Sequence, residues 1–366
     1  MHQSGTTAGS ISRATGAEPG WQFASDNTAG VCPEVWAVVE RANAGCVASY
    51  GDDPWTARAC TLVREMFECD AEVFFVFNGT AANALALASA CESYHGIVGH
   101  EIAHIMVDEC GAPGFFTGGA TLLPCPGARA KLEPVAVERV LTRRSDLHFP
   151  KPRVLSLTQS TEWGTAYRPA EIAALSALAR RHGLVVHMDG ARFANAAAAL
   201  AGEGATPADL TWRAGVDVLC FGGTKNGLNS TEALVFFNPE LARDFAWRGK
   251  QAGQLASKMR FATAQWVGML ENGAWLRHAA HANRMAGRLA DLLRAIPGVS
   301  LCLEPEVNAV FVRLAKTVAA ALEARGWHFH AFIGDDGYRL MCSWDTRDED
   351  LQALVQDLRE VLSASS

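Results

Sequence analysis

The pattern of apolar and polar positions changes its period repeatedly along most of the chain. Continuous apolar runs typical of buried strands occur at residues 73–77, 96–99, 121–123, 153–157, 184–188, 216–221 and 233–237. Stretches with the spacing of amphipathic helices lie before or between them, at residues 35–44, 55–69, 84–91, 169–182 and 191–201. Strands that are apolar throughout are buried on both faces, so this alternation predicts an α/β domain with a mainly parallel seven-stranded sheet.

The pattern differs after about residue 245. A polar stretch at residues 248–260 leads into a long helix-like segment at residues 273–296. Shorter strand-like and helix-like runs follow, at residues 299–303, 309–312, 317–325, 328–333, 338–343 and 348–362. We therefore expect a large domain over residues 23–260, which includes an N-terminal arm, and a small C-terminal α+β domain over residues 261–366.

The composition is that of a globular protein with a sizeable core. Of the 366 residues, 49% are hydrophobic and 19% are charged. The formal net charge of -7 and the lack of Lys/Arg runs argue against nucleic acid or an anionic membrane as a partner, which leaves small molecules. No run approaches the roughly 18 apolar residues of a membrane span.

The first residues and the pattern of cysteines indicate the cellular compartment in which the protein is expected to function. Residues 1–22 are rich in Ser, Thr, Gly and Ala and lack the charged start and apolar core of a signal peptide, which predicts a disordered tail. Ten cysteines are scattered without a C-x-x-C pair or a regular spacing. This pattern is typical of reduced thiols rather than of a disulfide framework, so a cytoplasmic enzyme is expected.

A single lysine stands where a buried strand ends. The apolar run 216–221 continues into Gly222-Gly223-Thr224-Lys225. An ammonium removed from water is costly, so its pKa falls and the neutral amine becomes a nucleophile. Such a lysine is suited to Schiff-base chemistry if the chain also offers a phosphate site and a carboxylate for a pyridine nitrogen.

Two other strand ends could supply those groups. The run 73–77 leads through Asn78 to Gly79 and Thr80 at the start of a helix, where free N–H groups can bind an anion. On its own this turn is equally consistent with a connection that binds nothing. Asp189 ends the run 184–188, where it could cap the next helix or hold a protonated pyridine nitrogen. The joint occurrence favours a pyridoxal phosphate site beyond the carboxyl ends of the strands.

Eight short motifs extend this picture over nearly the whole chain. They are FASDN (23–27), YGDD (50–53), FNGTAAN (77–83), AHIMVDECGAP (103–113), HMDGARF (187–193), FGGTKNG (221–227), KMR (258–260) and MCSWDT (341–346). In order and spacing they resemble the low-specificity L-threonine aldolases, which are fold type I pyridoxal-phosphate enzymes of the β-eliminating lyase group. The resemblance implies the aspartate-aminotransferase-like fold, pyridoxal 5′-phosphate as cofactor, and a homotetramer built as a dimer of dimers.

The resemblance also implies roles for residues around the cofactor. Lys225 would bond to the cofactor aldehyde, and Asp189 would partner the pyridine nitrogen. His104 would stack on the ring, while Gly79 and Thr80 would hold the phosphate.

Further residues are implied around the substrate. Arg192, which also borders the cofactor, and Arg339 would bind the substrate carboxylate with Ser25 beside them. His148 would lie near the substrate β-hydroxyl. Arg260 would reach the phosphate site of a neighbouring subunit.

The reaction implied is retro-aldol cleavage of L-β-hydroxy-α-amino acids, such as L-threonine, L-allo-threonine or phenylserine, to glycine and an aldehyde. Since the fold fixes the electron sink but not the bond that breaks, β-elimination or transamination is the alternative. A cofactor-binding protein without turnover is disfavoured because no catalytic position is missing. The sequence does not choose between His148, His104 and a water held by them as the base. Trp163 and residues 229–231 depart from the family pattern, which leaves the preferred β-side chain open.

A rival motif, H-E-x-x-H, spans residues 100–104. On a helix it presents two imidazoles to zinc, with the glutamate as a base. Here it directly follows the apolar run 96–99, and Cys110 stands where the third histidine of the extended motif would lie. A metalloprotease is therefore disfavoured, and no metal is expected.

Overall fold

The computed structural model describes residues 20–364. In this part of the chain, seven strands form the larger sheet: β1 (Glu72–Val76), β2 (His95–His100), β3 (Thr121–Cys125), β4 (Lys151–Thr158), β5 (Val185–Gly190), β6 (Val218–Phe221) and β7 (Glu232–Phe236). Their spatial order is β1-β7-β6-β5-β4-β2-β3. Neighbours from β3 to β6 run parallel, whereas β7 is antiparallel to both β6 and β1. The predicted mainly parallel seven-stranded sheet is confirmed.

Helices cover both faces of this sheet. They are α1 (Pro33–Ala42), α2 (Pro54–Phe67), α3 (Gly79–Ala90), α4 (His104–Val107), α5 (Ala112–Phe116), α6 (Pro134–Leu141), α7 (Pro169–Arg181), α8 (Phe193–Leu200), α9 (Pro239–Ala242), α10 (Phe245–Gln251) and α11 (Arg260–Leu270). Successive strand residues face opposite cores: Val186 packs in one apolar cluster with Trp266 of α11, and Val185 packs in another with Leu85 of α3. Burial on both faces explains why the strands are apolar throughout.

A second, antiparallel sheet forms the core of the C-terminal part. The remaining elements are α12 (Ala274–Arg294), β8 (Ser300–Leu301), β9 (Ala309–Arg313), α13 (Lys316–Ala324), β10 (His330–Ile333), β11 (Gly337–Met341) and α14 (Asp348–Ala364). Four of them make a sheet with the order β10-β11-β9-β8 within the described residues. Apolar side chains of the three helices pack in the same cluster as this sheet. The small α+β unit is therefore as predicted. No helix within residues 20–364 is long and apolar enough to cross a membrane.

Packing of α11 bears on the division between the two domains. Its residues Trp266 and Met269 lie in the core of the large sheet, as does Trp275 at the start of α12. The later α12 residues, from Ala286 onwards, lie in the core of the small sheet. From this packing we propose a boundary within α12 in place of the predicted boundary after residue 260.

The N-terminal segment of the described chain packs on the small domain. Phe23 is buried in its core, 5.8 Å from the ring of Trp327, and Trp21 stacks on His328 at 3.8 Å. Residues 1–19 of the predicted disordered tail, residues 1–22, lie outside the described residues. The last three residues of that range are instead ordered against the small domain, because Trp21 finds an aromatic partner there.

Candidate active site

A cavity of about 350 Å³ opens at the carboxyl ends of the central strands. It is lined by Asn27, Phe77, Asn78, Gly79, Thr80, Ala82, Asn83, His104, Asp189, Ala191, Cys220, Gly222, Thr224, Lys225, Asn229, Ser230 and Glu232. Five residues assigned to the cofactor from the sequence are thus brought together around one space: Gly79, Thr80, His104, Asp189 and Lys225. This is the position at which open α/β sheets bind ligands.

Lys225 lies in a short 3-10 turn, Thr224–Asn226, directly after β6. Its amine makes no hydrogen bond or ion pair with any residue in the described range 20–364. Burial and the positive charge of Arg192 lower its pKa, while the carboxylates of Asp26 and Asp189 oppose that shift. More of the amine is therefore neutral and nucleophilic at a given pH than for a lysine in water.

The glycines before Lys225 are required by close backbone contacts. A Cβ at Gly222 would lie 2.3 Å from the backbone oxygen of Ala191, and one at Gly223 would lie 2.7 Å from the backbone oxygen of Thr231. Only residues without a side chain fit there. The turn thereby brings Lys225 close to the end of β5.

Asp189 lies at the end of β5 and is only 4% exposed. Its Oδ1 accepts a hydrogen bond from the Ala191 N–H at 3.0 Å, which closes the following turn. Its Oδ2 accepts one from Nδ2 of Asn83 at 2.9 Å. A carboxylate held in this way retains lone pairs for one further donor, such as a protonated pyridine nitrogen.

The first turn of α3 offers an anion site. Asn78 caps this helix, since its Oδ1 accepts a hydrogen bond from the Ala81 N–H at 2.9 Å. The N–H groups of Gly79 and Thr80 come before the first intrahelical hydrogen bonds and therefore need an outside acceptor. A Cβ at Gly79 would meet nothing within 4 Å, so the space above this helix end is open. A phosphate group fits that position.

His104 begins α4 and is held between two carboxylates. Its Nδ1 lies 2.8 Å from Oε1 of Glu109, and its Nε2 lies 3.5 Å from Oδ2 of Asp108. The hydrogen bond with Glu109 raises the pKa of His104, against the effect of burial. Nδ2 of Asn83 also donates to Oε1 of Glu109 at 2.8 Å. The same amide group therefore binds both Asp189 and the carboxylate that holds His104.

Neither Asn83 nor Glu109 was assigned a role from the sequence. Both lie inside the FNGTAAN and AHIMVDECGAP motifs. The one available signal was the helical spacing that places Asn83 one turn after Gly79, on the side of α3 that faces the cavity.

The H-E-x-x-H sequence does not form a helix. His100 is the last residue of β2, with Nε2 3.0 Å from the carbonyl oxygen of Gly127, whereas His104 starts α4. The two imidazoles are therefore not presented on one helical face, as the zinc motif requires.

Arg192 is paired with a residue that was not predicted. Its Nε and Nη2 donate to the two carboxylate oxygens of the buried Asp26 at 2.6 and 2.8 Å, in a bidentate pair. Asn308 donates to the same carboxylate at 3.2 Å, and Ser25 precedes it in the chain. The carboxylate-binding role of Arg192 stays a prediction, for which Nη1, which makes no hydrogen bond within residues 20–364, and the second N–H of Nη2 remain as donors.

Arg339 on β11 has no acidic partner among the described residues. Its Nε is buried without a hydrogen bond, and its guanidinium lies 4.5 Å from the ring of Phe332. Burial and the nearby charge of Arg192 lower its pKa to about 10, so it is still cationic at neutral pH. This unpaired cation is available to an anionic ligand.

Five of the predicted residues do not line the cavity: Ser25, Arg192 and Arg339, which are described above, and His148 and Arg260. His148 is on an exposed loop, where its N–H donates to Oδ1 of Asp146 at 3.0 Å. Arg260, at the start of α11, donates to the carbonyl oxygen of Gly45 at 3.1 Å. The roles assigned to both from the resemblance stay predictions.

Glu162 is a second residue that sequence reasoning missed. Its Oε1 accepts a hydrogen bond from the His104 N–H at 3.0 Å, and its buried Oε2 has no hydrogen-bond partner within residues 20–364. Burial raises the pKa of Glu162 to about 7, and the charge of Asp189 adds to that shift. Glu162 therefore fixes the start of α4 and exchanges a proton near neutral pH.

The Glu162→Gln variant should become more stable relative to the wild type as pH rises. Glu162 has a pKa of 4.5 when unfolded and about 7 when folded, so its favourable contribution is complete below 4.5 and is lost as pH rises through 7. Glutamine keeps the acceptor for His104 and cannot ionise. Over this interval we expect the free energy of unfolding of the variant to rise by about 3 kcal/mol relative to that of the wild type. Melting temperatures of both proteins, measured as a function of pH, check this prediction.

A matched control is Glu171→Gln. Burial opposes the shift, but hydrogen bonds from the Arg168 N–H and Lys131 lower the pKa of Glu171, so this variant should lose stability relative to the wild type as pH rises. A stability difference between Glu162→Gln and the wild type that does not change with pH would contradict the raised pKa of Glu162.

Comparison with known proteins places this chain in a family. The family described as beta-eliminating lyase matches residues 22–317. Low-specificity L-threonine aldolases of Pseudomonas sp. (strain NCIMB 10558) and Pseudomonas aeruginosa are each 56% identical over 343 residues, covering 94% of this chain and 98% of the relative. The solved structure of Leishmania major threonine aldolase superposes with a TM-score of 0.86 at 28% identity, covering 93% of this chain and 99% of that chain.

These similarities confirm the resemblance seen in the motifs and the predicted fold type I architecture. The chain belongs to the beta-eliminating lyase family, among the low-specificity L-threonine aldolases.

Proposed function

We propose that this enzyme cleaves L-β-hydroxy-α-amino acids, such as L-threonine, L-allo-threonine and phenylserine, to glycine and an aldehyde with pyridoxal 5′-phosphate as its cofactor. The observation that carries the proposal is the arrangement of Lys225, Asp189 and the first turn of α3 around one cavity. Membership in the family supports the same reaction.

Pyridoxal phosphate would supply an electron sink for the Cα–Cβ bond that breaks, and Lys225 would hold it through its aldehyde. The backbone N–H groups of Gly79 and Thr80 would hold the phosphate. Asp189 would accept a hydrogen bond from the protonated pyridine nitrogen and keep it charged, and His104 would contact the ring.

His104 is the favoured carrier of the β-hydroxyl proton because it lines the cavity. Glu109 holds its Nδ1 at 2.8 Å, and Nε2, which lies 3.5 Å from the exposed Asp108, can exchange a proton directly or through a water. His148 is retained as a prediction. Full activity in a His148→Phe variant, with activity lost in His104→Phe, would remove His148 from the reaction.

Arg339 is proposed to bind the substrate carboxylate. Loss of this charge-assisted contact in Arg339→Leu should raise KM for L-threonine roughly 10–100-fold, with a smaller effect on kcat. The matched control is Arg313→Leu on the adjacent strand, where the exposed guanidinium pairs with Asp336 at 2.7 Å. An unchanged KM in Arg339→Leu would show that another residue binds the substrate carboxylate.

Product analysis tests the reaction itself. Purified enzyme incubated with cofactor and L-threonine should yield glycine and acetaldehyde in equal amounts. Ammonia with an oxo acid would indicate β-elimination, and an oxo acid formed only with an amino acceptor would indicate transamination. Either of those results would overturn the proposed cleavage.

We also propose a cytoplasmic homotetramer. All ten cysteines, which lie between residues 32 and 342, are free thiols. Large apolar side chains are exposed, including Phe115 at 80% and Trp247 at 78%. Light scattering coupled to size-exclusion chromatography measures the subunit number, and a monomer at working concentration would contradict the assembly.

A further inference from the structure

Three side chains with metal-ligating atoms meet outside the cavity. Cys32 and Glu34 come from the start of α1, and His278 comes from α12. Sγ, a carboxylate oxygen and an imidazole nitrogen of these residues all lie within 4.8 Å of one another. Nε2 of His278 lies 3.1 Å from Oε2 of Glu34.

The donor set selects a class of cation. Thiolate, imidazole and carboxylate together suit zinc and other borderline divalent ions, whereas magnesium and calcium prefer oxygen ligands alone. Tetrahedral zinc with bonds of about 2.0–2.3 Å places its ligand atoms roughly 3.3–3.8 Å apart. The three ligand atoms, which lie within 4.8 Å of one another, must move closer together to bind one ion, and water would supply the fourth ligand.

The ionisation of the three side chains and the charge of a neighbouring arginine both affect cation binding. Burial raises the pKa of Cys32 to about 11, so its thiol is protonated until a metal displaces the proton to solvent. Burial opposes ionisation of Glu34, but its backbone hydrogen bond and His278 lower its pKa overall. Arg277, whose Nη2 lies 3.4 Å from Oε1 of Glu34, is the competing cation.

The elements that carry these ligands also hold the turn of the catalytic lysine. The Cys32 N–H donates to the carbonyl oxygen of Gly227 at 2.9 Å. Asn226 donates through Nδ2 to the carbonyl oxygen of Trp275 in α12 at 2.9 Å. The two residues after Lys225 are thus hydrogen-bonded to the elements that carry the cluster: Asn226 to α12, and Gly227 to Cys32 at the start of α1.

We propose that Cys32, Glu34 and His278 form a binding site for a borderline divalent cation such as Zn²⁺, which clamps α1 to α12 behind the Lys225 turn. Bonds form from Sγ, one carboxylate oxygen and Nε2, and the thiol proton leaves to solvent. No electron is transferred. The proposal does not depend on the reaction that the enzyme catalyses.

Cadmium titration tests the site directly. The probe is Cd²⁺ added to full-length holoenzyme that has been treated with a chelator, in a Cys46→Ser, Cys110→Ser background that removes the exposed thiols. We expect a thiolate-to-cadmium charge-transfer band in the ultraviolet that saturates at a single equivalent, and a higher melting temperature with Zn²⁺. Cys32→Ser should abolish the band, and His278→Ala should weaken binding at least about tenfold.

Two results would overturn the proposal. One is a saturating band that survives in Cys32→Ser, which would place the metal elsewhere. The other is unchanged Cd²⁺ affinity in both His278→Ala and Glu34→Gln, which would reduce the site to a single thiol. Circular dichroism verifies folding, and if Cys32→Ser does not fold, the half-buried His278 and Glu34 variants decide the outcome.

Discussion

Replacement of Lys225 by alanine should reduce the cleavage of L-threonine by at least about 10⁴-fold, on the scale seen when an essential nucleophile is removed. Lys225 is the one lysine that lines the cavity among the described residues, and no other amine there can bond to the cofactor aldehyde. The visible absorbance of the lysine-bound cofactor should disappear with the activity. Borohydride reduction followed by peptide mapping should fix the cofactor to Lys225 in the wild type only.

The matched control is Lys316→Ala. Lys316 is exposed on the small domain, with its amine 3.9 Å from Asp335. This variant should keep both the absorbance and the turnover. Substantial turnover in Lys225→Ala, with the fold verified by circular dichroism, would refute the proposed role of the lysine.

The Asp189→Asn variant should lower kcat by roughly 10³-fold, comparable to the loss of a preorganised electrostatic group in other enzymes. A neutral amide cannot stabilise a protonated pyridine nitrogen, so the ring becomes a poorer electron acceptor. The side chain keeps its size, and its single oxygen can still accept one of the two hydrogen bonds, from Asn83 or from the Ala191 N–H. Cofactor binding, followed by visible absorbance, should therefore persist while turnover falls.

Asp217→Asn is the corresponding control at the opposite end of the same strands. Asp217 accepts a hydrogen bond from the Val186 N–H at 2.8 Å and lies far from the carboxyl ends. Its substitution should affect stability more than kcat. Equal losses of kcat in both variants would show that the effect of Asp189→Asn is structural.

The sheet was predictable because its strands are apolar on both faces. Val185 and Val186 point to opposite cores, and a sequence pattern of that kind has few other structural solutions. The meeting of Lys225 and Asp189 at one cavity was predictable because each lies at or just after the end of a parallel strand, and such strand ends meet at one edge of the sheet.

Residues that depend on contacts between distant segments were not predictable in the same way. Asn83 and Asp189 are separated by 106 positions, and Asp26 and Arg192 by 166. No periodicity of a single chain encodes which buried amide meets which carboxylate. Glu162 was missed because its importance comes from burial beside His104 rather than from its residue type.

The position of the domain boundary also depends on contacts between distant segments. The change of pattern around the polar stretch 248–260 suggested a boundary after residue 260, yet α11 packs its Trp266 into the core of the large sheet. Composition marks exposed segments, but it does not report which core the next helix joins.

The aspartate that pairs with Arg192 has a consequence for synthesis on the ribosome. Asp26 also accepts a hydrogen bond from Asn308, 282 positions later, and the carbonyl oxygen of Phe23 accepts one from the Met341 N–H. At roughly 5–20 residues per second, the N-terminal segment emerges on the order of tens of seconds before those partners are translated. Throughout that time the nascent chain carries Phe23 and Asp26 without their final neighbours. The carboxylate of Asp26 therefore joins its full set of partners only when translation is almost finished.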